Sequence, residues 1–147
     1  MNLLAPLSSI MSTHLVTVSE HDPIHVVEEI FRTHNIHHIP VLSMGKLTGI
    51  LSKTDYNLFL QGFPEEMMDK DQLERYRKRV YNAKDIMTSK IATLEADDNI
   101  NIALEVFNEN RFHAIPITVD GELVGIVTTF DIIKKLSEDS FAETKYS

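Results

Sequence analysis

The sequence predicts an α/β (α+β) chain made of two copies of one small unit, each a short β-sheet packed with helices. Three observations carry this. Gly49-Ile50-Leu51-Ser52-Lys53-Thr54-Asp55 returns as Gly125-Ile126-Val127-Thr128-Thr129-Phe130-Asp131, an offset of 125 − 49 = 131 − 55 = 76 residues. From Ile10 to Leu60 no insertion or deletion is needed, and 16 of those 51 positions are identical to the residue 76 further on, which marks an internal duplication. Within each copy, short β-rich runs alternate with apolar residues at helical spacing.

Taken in order, Leu3-Leu4-Ala5 and Ile10-Met11 read as a short helical lead that packs on the core. Leu15-Val16-Thr17-Val18 reads as a strand. Asp22-Pro23 reads as an N-cap followed by a first-turn proline. Ile24, Val27, Ile30 and Phe31 then recur at helical spacing, which predicts an amphipathic helix from Ile24 to His34. Ile39-Pro40-Val41-Leu42 is a strand whose proline suggests a strand start or an edge. Met44-Gly45 turns the chain into Leu47 to Leu51, closing a hairpin. Asp55 opens a helix through Leu58, Phe59 and Leu60.

The second copy repeats these signals. Ile86-Met87 matches Ile10-Met11, and Ile91 to Leu94 matches the first strand, with Thr93 at the place of Thr17. Asp98 repeats the Asp22 cap, although Asn99 replaces Pro23. Ile100, Ala103, Val106 and Phe107 repeat the helix face. His113-Ala114-Ile115-Pro116-Ile117 matches His37-His38-Ile39-Pro40-Val41, and Asp120-Gly121 is the stronger hairpin signal. We therefore expect a first motif with its lead over 1–60, a helical linker over 61–83, and a second motif with its tail over 84–147. In the linker, Gly62 and Pro64 interrupt the first helix. Glu65, Glu66, Asp69, Asp71 and Glu74 precede Arg75, Arg77, Lys78 and Arg79, an order that complements a helix dipole. Leu73, Tyr76 and Val80 give that helix a modest apolar face. Its basic end reads as a solvated face, or as a contact for a phosphate or a partner. The polar tail after Leu136 is expected to fray.

Composition narrows the function. The chain has 147 residues, 43% of them hydrophobic, which suits one domain or two small intertwined halves. Its net charge of −8 argues against duplex nucleic acid, which needs a basic face. With no cysteine there is no disulfide, thiolate chemistry or zinc knuckle, which fits a reducing compartment, and we expect a cytoplasmic protein. Met1 to Met11 lacks a basic n-region and Pro6 interrupts its apolar run, so no secretory signal is expected there. No apolar run approaches the ~20 residues that span a bilayer. The methionines read as core packing.

The repeated Gly-Ile-[Leu/Val]-[Ser/Thr]-x-x-Asp piece is the candidate site. A strand running into a helix start aims side chains and N–H groups at one spot, and the helix start favours an anion. A carboxylate there can accept hydrogen bonds from a pair of hydroxyls, so the piece suits a ribose phosphate. Ser52 or Thr128 as an N-cap, with Asp55 or Asp131 favouring the dipole, is the other reading. Nothing points to catalysis: there is no nucleophile elbow, Walker loop or GxGxxG, and Asp55 and Asp131 belong to separate copies. His34-x-x-His37-His38 has no carboxylate at metalloenzyme spacing, so we expect no metal site.

Two copies of helix, strand, helix, strand, strand, helix resemble a pair of CBS domains. The residues that carry the resemblance are Ile-Met before a Thr-bearing strand, the His-x-Ile-Pro-[Val/Ile] strand, and Gly-Ile-[Leu/Val]-[Ser/Thr]-x-x-Asp. It covers roughly residues 8 to 136. It implies two pseudo-twofold-related motifs, often called a Bateman module, with two clefts that in many members bind adenosine nucleotides or related adenosyl ligands. It implies that Asp55 and Asp131 hold ribose hydroxyls and that Ser52 or Thr128 sits near ribose or phosphate, with Thr17 and Thr93 near the base. In the γ subunit of AMP-activated protein kinase a His-Arg pair before the proline strand contacts phosphate. The matching residues here are His37-His38 and His113-Ala114. The first copy adds Lys53 where the second has Thr129, so unequal sites are expected.

The resemblance thus implies a non-enzymatic regulatory module, with AMP, ADP or ATP as a regulatory ligand and no required cofactor. It would act as a homodimer and signal to a separate effector protein, without membrane or duplex nucleic acid. The alternative is a ligand-independent dimerisation or protein-interaction module.

Overall fold

The computed structural model describes residues 1–62, 69–110 and 112–146, apart from the side chains of 110 and 141–146. Pro64, Glu65 and Glu66 lie outside the described residues. The chain divides into two compact units, Val16–Ile91 and a second made of Met1–Leu15 with Ala92–Ser147. The first unit holds β1 (Val18–Ser19), α1 (Ile24–Thr33), β2 (His38–Ser43), β3 (Lys46–Ser52), α2 (Lys53–Gln61), α3 (Lys70–Val80) and α4 (Ala83–Ile86). The second holds a 3-10 turn (Leu7–Ser9), β4 (Leu94–Glu95), α5 (Ile100–Asn110), β5 (Ala114–Val119), β6 (Glu122–Thr128) and α6 (Thr129–Tyr146).

Each unit has a three-stranded sheet, in the orders β1-β2-β3 and β4-β5-β6. The first pair of each sheet is parallel and the second is an antiparallel hairpin. The hairpin turns have positive φ at both central residues, Met44 and Gly45 in one and Asp120 and Gly121 in the other. Those dihedrals belong to a type I′ turn, whose twist matches the strands it joins. Met44 is fully exposed in its turn, so it does not pack in the core as expected.

Pro40 and Pro116 are in the central strands, not at an edge or a strand start. Pro40 pairs with Ile50, and Ile50 turns its own N–H and C=O away from β2 to Thr88. Pro40 therefore faces a neighbour that asks for no hydrogen bond, and its missing N–H lies on the β1 side. There the parallel ladder begins only at Val18 opposite Val41. Thr17 would fall opposite Pro40, which has no donor to offer. This is why the strand expected over Leu15 to Val18 is confined to Val18–Ser19. Pro116 stops the second ladder in the same way, so β4 is Leu94–Glu95 rather than a strand from Ile91.

Asp22 and Asp98 do not cap the helices that follow them. Asp22 Oδ2 accepts from Ser19 N at 2.8 Å, and Asp98 Oδ2 accepts from Glu95 N at 2.8 Å, closing turns at the ends of β1 and β4. The N–H of Ile24 goes instead to the Tyr81 carbonyl, and that of Ile100 to the Ala5 carbonyl. Ala5 and Tyr81 are themselves 76 residues apart.

The lead of each copy packs in the unit of the other. Ala83 is buried with Val27, Phe31, Ile39, Val41, Leu51 and Phe59, while Leu7 is buried with Ile100, Ala103, Ile115, Ile117 and Val127. The helical part of the first lead is Leu7–Ser9 and its anchor is Leu7; Leu4, expected to pack, is 69% exposed.

The linker helix forms as α3, with Asp69 capping the Asp71 N–H. Leu73 packs on the core, but Tyr76 and Val80 are at least half exposed. The basic end is not simply solvated. The Arg77 guanidinium lies 4.8 Å from the Phe59 ring centre and 5.1 Å from that of Tyr81, and donates to the Gly62 carbonyl at 3.0 Å. Lys78 pairs with Glu28 on α1 and with Glu74 at 3.2 Å. The tail does not fray after Leu136: α6 runs to Tyr146, with Asp139 3.2 Å from the Met1 amino group and 3.6 Å from Lys135 Nζ.

Candidate functional site

The starts of α2 and α6 are built alike. A helix start leaves four N–H groups without a partner inside the helix. At α2, Ser52 N donates to Asp55 Oδ2 (2.9 Å), Lys53 N to the His37 carbonyl (2.8 Å), and Asp55 N to Ser52 Oγ (3.0 Å). At α6, Thr128 N donates to Asp131 Oδ2 (2.8 Å), Thr129 N to the His113 carbonyl (3.1 Å), and Asp131 N to Thr128 Oγ1 (3.2 Å). The Thr128 hydroxyl also donates to Asp131 Oδ2, at 3.0 Å.

The capping reading of the aspartates is the one these hydrogen bonds bear out. Each is one arm of a capping box. Yet the box uses only Oδ2. Among the described residues, Oδ1 of Asp55 and Oδ1 of Asp131 take no hydrogen bond. The one helix-start N–H left over is Thr54 in the first unit and Phe130 in the second. Each helix start thus offers one open carboxylate oxygen and one open N–H on the same turn. An acceptor beside a donor suits hydroxyl groups, which can both donate and accept.

The structure brings several expected residues to these points. His38 pairs with Ser52 across the hairpin, and the His37 carbonyl caps Lys53, so His37, His38, Ser52, Lys53 and Asp55 gather at the start of α2. Ala114 pairs with Thr128, and the His113 carbonyl caps Thr129, so His113, Thr128, Thr129 and Asp131 gather at the start of α6. His37, Lys53 and His113 are exposed, while Asp55 and Asp131 are half-buried. Thr17 and Thr93 stand apart, just before β1 and β4 and across the central strand from the helix starts. Among the described residues no three His, Asp or Glu side chains gather to hold a metal ion.

Sequence reasoning missed Thr88, and quoted Gly49 and Gly125 in the motif without seeing what they are for. The Thr88 hydroxyl lies 3.5 Å from Asp55 Oδ2, brought there by paired backbone bonds between Thr88 and Ile50 (2.8 and 3.0 Å). Ser12 makes the equivalent pair with Ile126 (2.9 and 3.0 Å). Gly49 and Gly125 permit this approach. A Cβ at Gly49 would lie 2.7 Å from Met87 Sδ and 2.8 Å from the Thr88 carbonyl oxygen. The signal was present: both copies carry Gly six residues before the aspartate, and Met before Ser12 or Thr88.

Set against known proteins, the CBS domain family model matches residues 7–61 and 83–138. The chain belongs to the CBS domain family. Its two CBS matches begin at Leu7 and Ala83, the lead residues buried in the two cores.

Among relatives, the CBS pair is 30% identical to an uncharacterized protein of Methanocaldococcus jannaschii, over 88% of this chain and 90% of that one. It is 27% identical to inosine-5'-monophosphate dehydrogenase of Thermoplasma acidophilum over 86% of this chain, but spans only 23% of that protein. Among solved structures, it is similar to the CBS domain pair of protein MJ0100 in complex with 5-methylthioadenosine and S-adenosyl-L-methionine. There the TM-score is 0.75 at 24% identity, covering 91% of this chain and 97% of that one. It is also similar to CBSX2 in complex with AMP, with a TM-score of 0.72 at 20% identity, covering 92% and 98%. At these identities the likeness establishes the fold. No helix among the described residues is long and apolar enough to cross a membrane.

Proposed function

We propose that this CBS pair is a non-catalytic sensor that takes an adenosyl ligand, of the AMP, ADP or ATP kind, at the starts of α2 and α6. It signals by a conformational or assembly change to a separate partner. The observation that carries this is the open Oδ1 of Asp55 and of Asp131, each beside an open N–H on the same helix turn. In this reading the aspartates accept from ribose hydroxyls while their other oxygens keep the helix capped. With one N–H left at each start, phosphate falls to side chains: Lys53, His37 and His38 in the first unit, His113 and Thr129 in the second. The first unit is therefore the stronger phosphate site. Solved neighbours holding AMP, or 5-methylthioadenosine and S-adenosyl-L-methionine, support an adenosyl ligand. We assign the protein to the cytoplasm, in line with a sequence free of cysteine.

A second reading, assembly without ligand, draws on Phe130, Ile133 and Leu136. They form an exposed apolar row on α6, 68%, 62% and 46% exposed, which favours pairing with a second copy.

The test is a thermal-shift screen with AMP, ADP, ATP, 5-methylthioadenosine and S-adenosylmethionine on the wild type, Asp55→Asn and Asp131→Asn. An Asn keeps one oxygen for the cap and puts an NH2 where the free acceptor was. Ligand at 100 times its dissociation constant should stabilise the fold by about 2.7 kcal/mol. A shift lost in one Asn variant, whose own melting is unchanged, supports ribose binding and names the unit. No shift with any ligand overturns the sensor reading. Sedimentation with and without ligand then decides whether the α6 row pairs two copies.

A further inference from the structure

Toward its end the linker helix carries four cations in five positions, Arg75, Arg77, Lys78 and Arg79, within a chain of net charge −8. The structure sorts them into two pairs. Arg77 and Lys78 are engaged internally, Arg77 over Phe59 and Tyr81 and Lys78 with Glu28 and Glu74. Arg75 and Arg79 are exposed, and among the described residues no carboxylate forms an ion pair with either. Arg75 Nε donates to the Asp71 carbonyl at 3.3 Å, which anchors one edge of its guanidinium.

Arg75 and Arg79 are one turn apart on the same face of α3 as Gln72 and Tyr76. That face and the α1 residues His25 and Glu28, with Lys78, line a groove of about 870 Å³. Like charges at this spacing weaken a helix unless something neutralises them. The single acid in the groove, Glu28, is already matched: Lys78 pairs with it and the Tyr56 hydroxyl donates to it at 2.6 Å. The groove therefore presents two unmatched guanidinium forks, which suit the oxygens of phosphate, beside the half-exposed ring of Tyr76. The second repeat has no such groove chemistry at the matching α5 positions, where Asn101 and Leu104 stand for His25 and Glu28.

We propose that the α1–α3 groove of the Val16–Ile91 unit binds an oligophosphate, either free or carried by a nucleotide. None of Ser52, Lys53 or Asp55 lines it, so this is a different site from the helix starts. It gives the linker helix a ligand of its own.

The test is calorimetric titration with inorganic tripolyphosphate at low salt. The proteins are the wild type, Arg75→Gln/Arg79→Gln, Arg75→Lys/Arg79→Lys, the charge-matched Lys46→Gln/Lys134→Gln, and Lys53→Gln, which removes the cation at the start of α2. Wild type and the charge-matched control should bind alike, and Lys53→Gln should keep the groove's binding. The Gln pair should bind at least tenfold more weakly, the Lys pair should fall between, and added salt should weaken binding throughout. The proposal is overturned if the wild type does not bind, if the Gln pair binds as well as wild type, or if the charge-matched control loses as much. It is also overturned if Lys53→Gln removes binding, or if oligoglutamate binds as tightly as tripolyphosphate. ATP titrated into Asp55→Asn/Asp131→Asn, with and without Tyr76→Leu, names the source. A Tyr76-dependent gain of ATP over tripolyphosphate supports a nucleotide-borne phosphate, and equal binding supports a free one.

Discussion

Replacing Gly49 by Ala should destabilise the protein more than the same change at its repeat partner Gly125. The new Cβ would meet Met87 Sδ at 2.7 Å and the Thr88 carbonyl oxygen at 2.8 Å, and the second of these is backbone. A side chain can swing aside; Thr88 can move only by stretching the two hydrogen bonds that join it to Ile50, at 2.8 and 3.0 Å. Each such bond contributes about 1 kcal/mol net, and overpacking a filled site costs about 1–3 kcal/mol. The expected loss is about 2–4 kcal/mol, a fall in melting temperature of roughly 5–15 °C for a chain of this size. Gly125 offers a matched control. There the nearest atoms are Met11 Sδ at 2.6 Å and Cγ at 3.0 Å, with the Ser12 carbonyl further off at 3.1 Å. Gly125→Ala should cost less, about 1–2 kcal/mol, because a flexible thioether can give way. Double mutants sharpen the contrast. Met11→Ala with Gly125→Ala should cost clearly less than the sum of the singles, whereas Met87→Ala with Gly49→Ala should be nearer additive, since the carbonyl remains. Urea denaturation monitored by circular dichroism measures all six variants. Gly49→Ala within about 0.5 kcal/mol of wild type, or the reverse order of coupling, would refute the argument.

Two further predictions follow from burial and charge. Leu7→Ala should destabilise by about 2–5 kcal/mol because Leu7 is wholly buried, while Leu4→Ala, at a position 69% exposed, should stay within about 0.5 kcal/mol; chemical denaturation of both decides. Burial, and then the hydrogen bond to Glu28, push the Tyr56 hydroxyl up to about 12 from its usual 10.0. The unfolded chain then loses this proton near pH 10 while the folded chain keeps it until about pH 12, so Tyr56 lowers stability as pH rises through that window and has no such effect below it. Tyr56→Phe should flatten the alkaline fall in denaturation midpoint without abolishing it. The Lys78 ammonium is opposed by burial but held charged by hydrogen bonds to Glu28 and Glu74, so its stabilisation too is complete at lower pH and lost in alkali.

Much of this structure is legible in the sequence because its signals are local. The hairpins follow from Gly45 and from Asp120-Gly121, residue types that accept the left-handed conformation; Met44 adopts it without that preference. The site motif is legible for the same reason: Ser52 to Asp55 and Thr128 to Asp131 are complete within one helix turn. What was misread depended on partners far away in the chain. Asp22 looks like a cap until the Tyr81 carbonyl is found on the Ile24 N–H. Pro40 looks like an edge residue until Ile50 is seen to turn its hydrogen bonds toward Thr88. Arg77 and Lys78 look solvated until Phe59, Tyr81 and Glu28 are seen beneath them. A repeat gives the spacing of segments along the chain but not which copy each segment packs on, so the seats of Leu7 and Ala83 could not be read from it.

Those two seats bear on how such a chain arises. Cut at the 76-residue period, each half would carry a lead whose seat lies in the other half, and a seat with nothing to fill it. Two identical single-repeat chains would meet the same need only by trading leads, as reciprocal partners whose union depends on dilution. Joining two copies end to end turns that association into an intramolecular one, governed by an effective concentration that the tether sets and dilution leaves untouched. Gene fusion in this architecture thus makes permanent a dimer that the single repeat already requires.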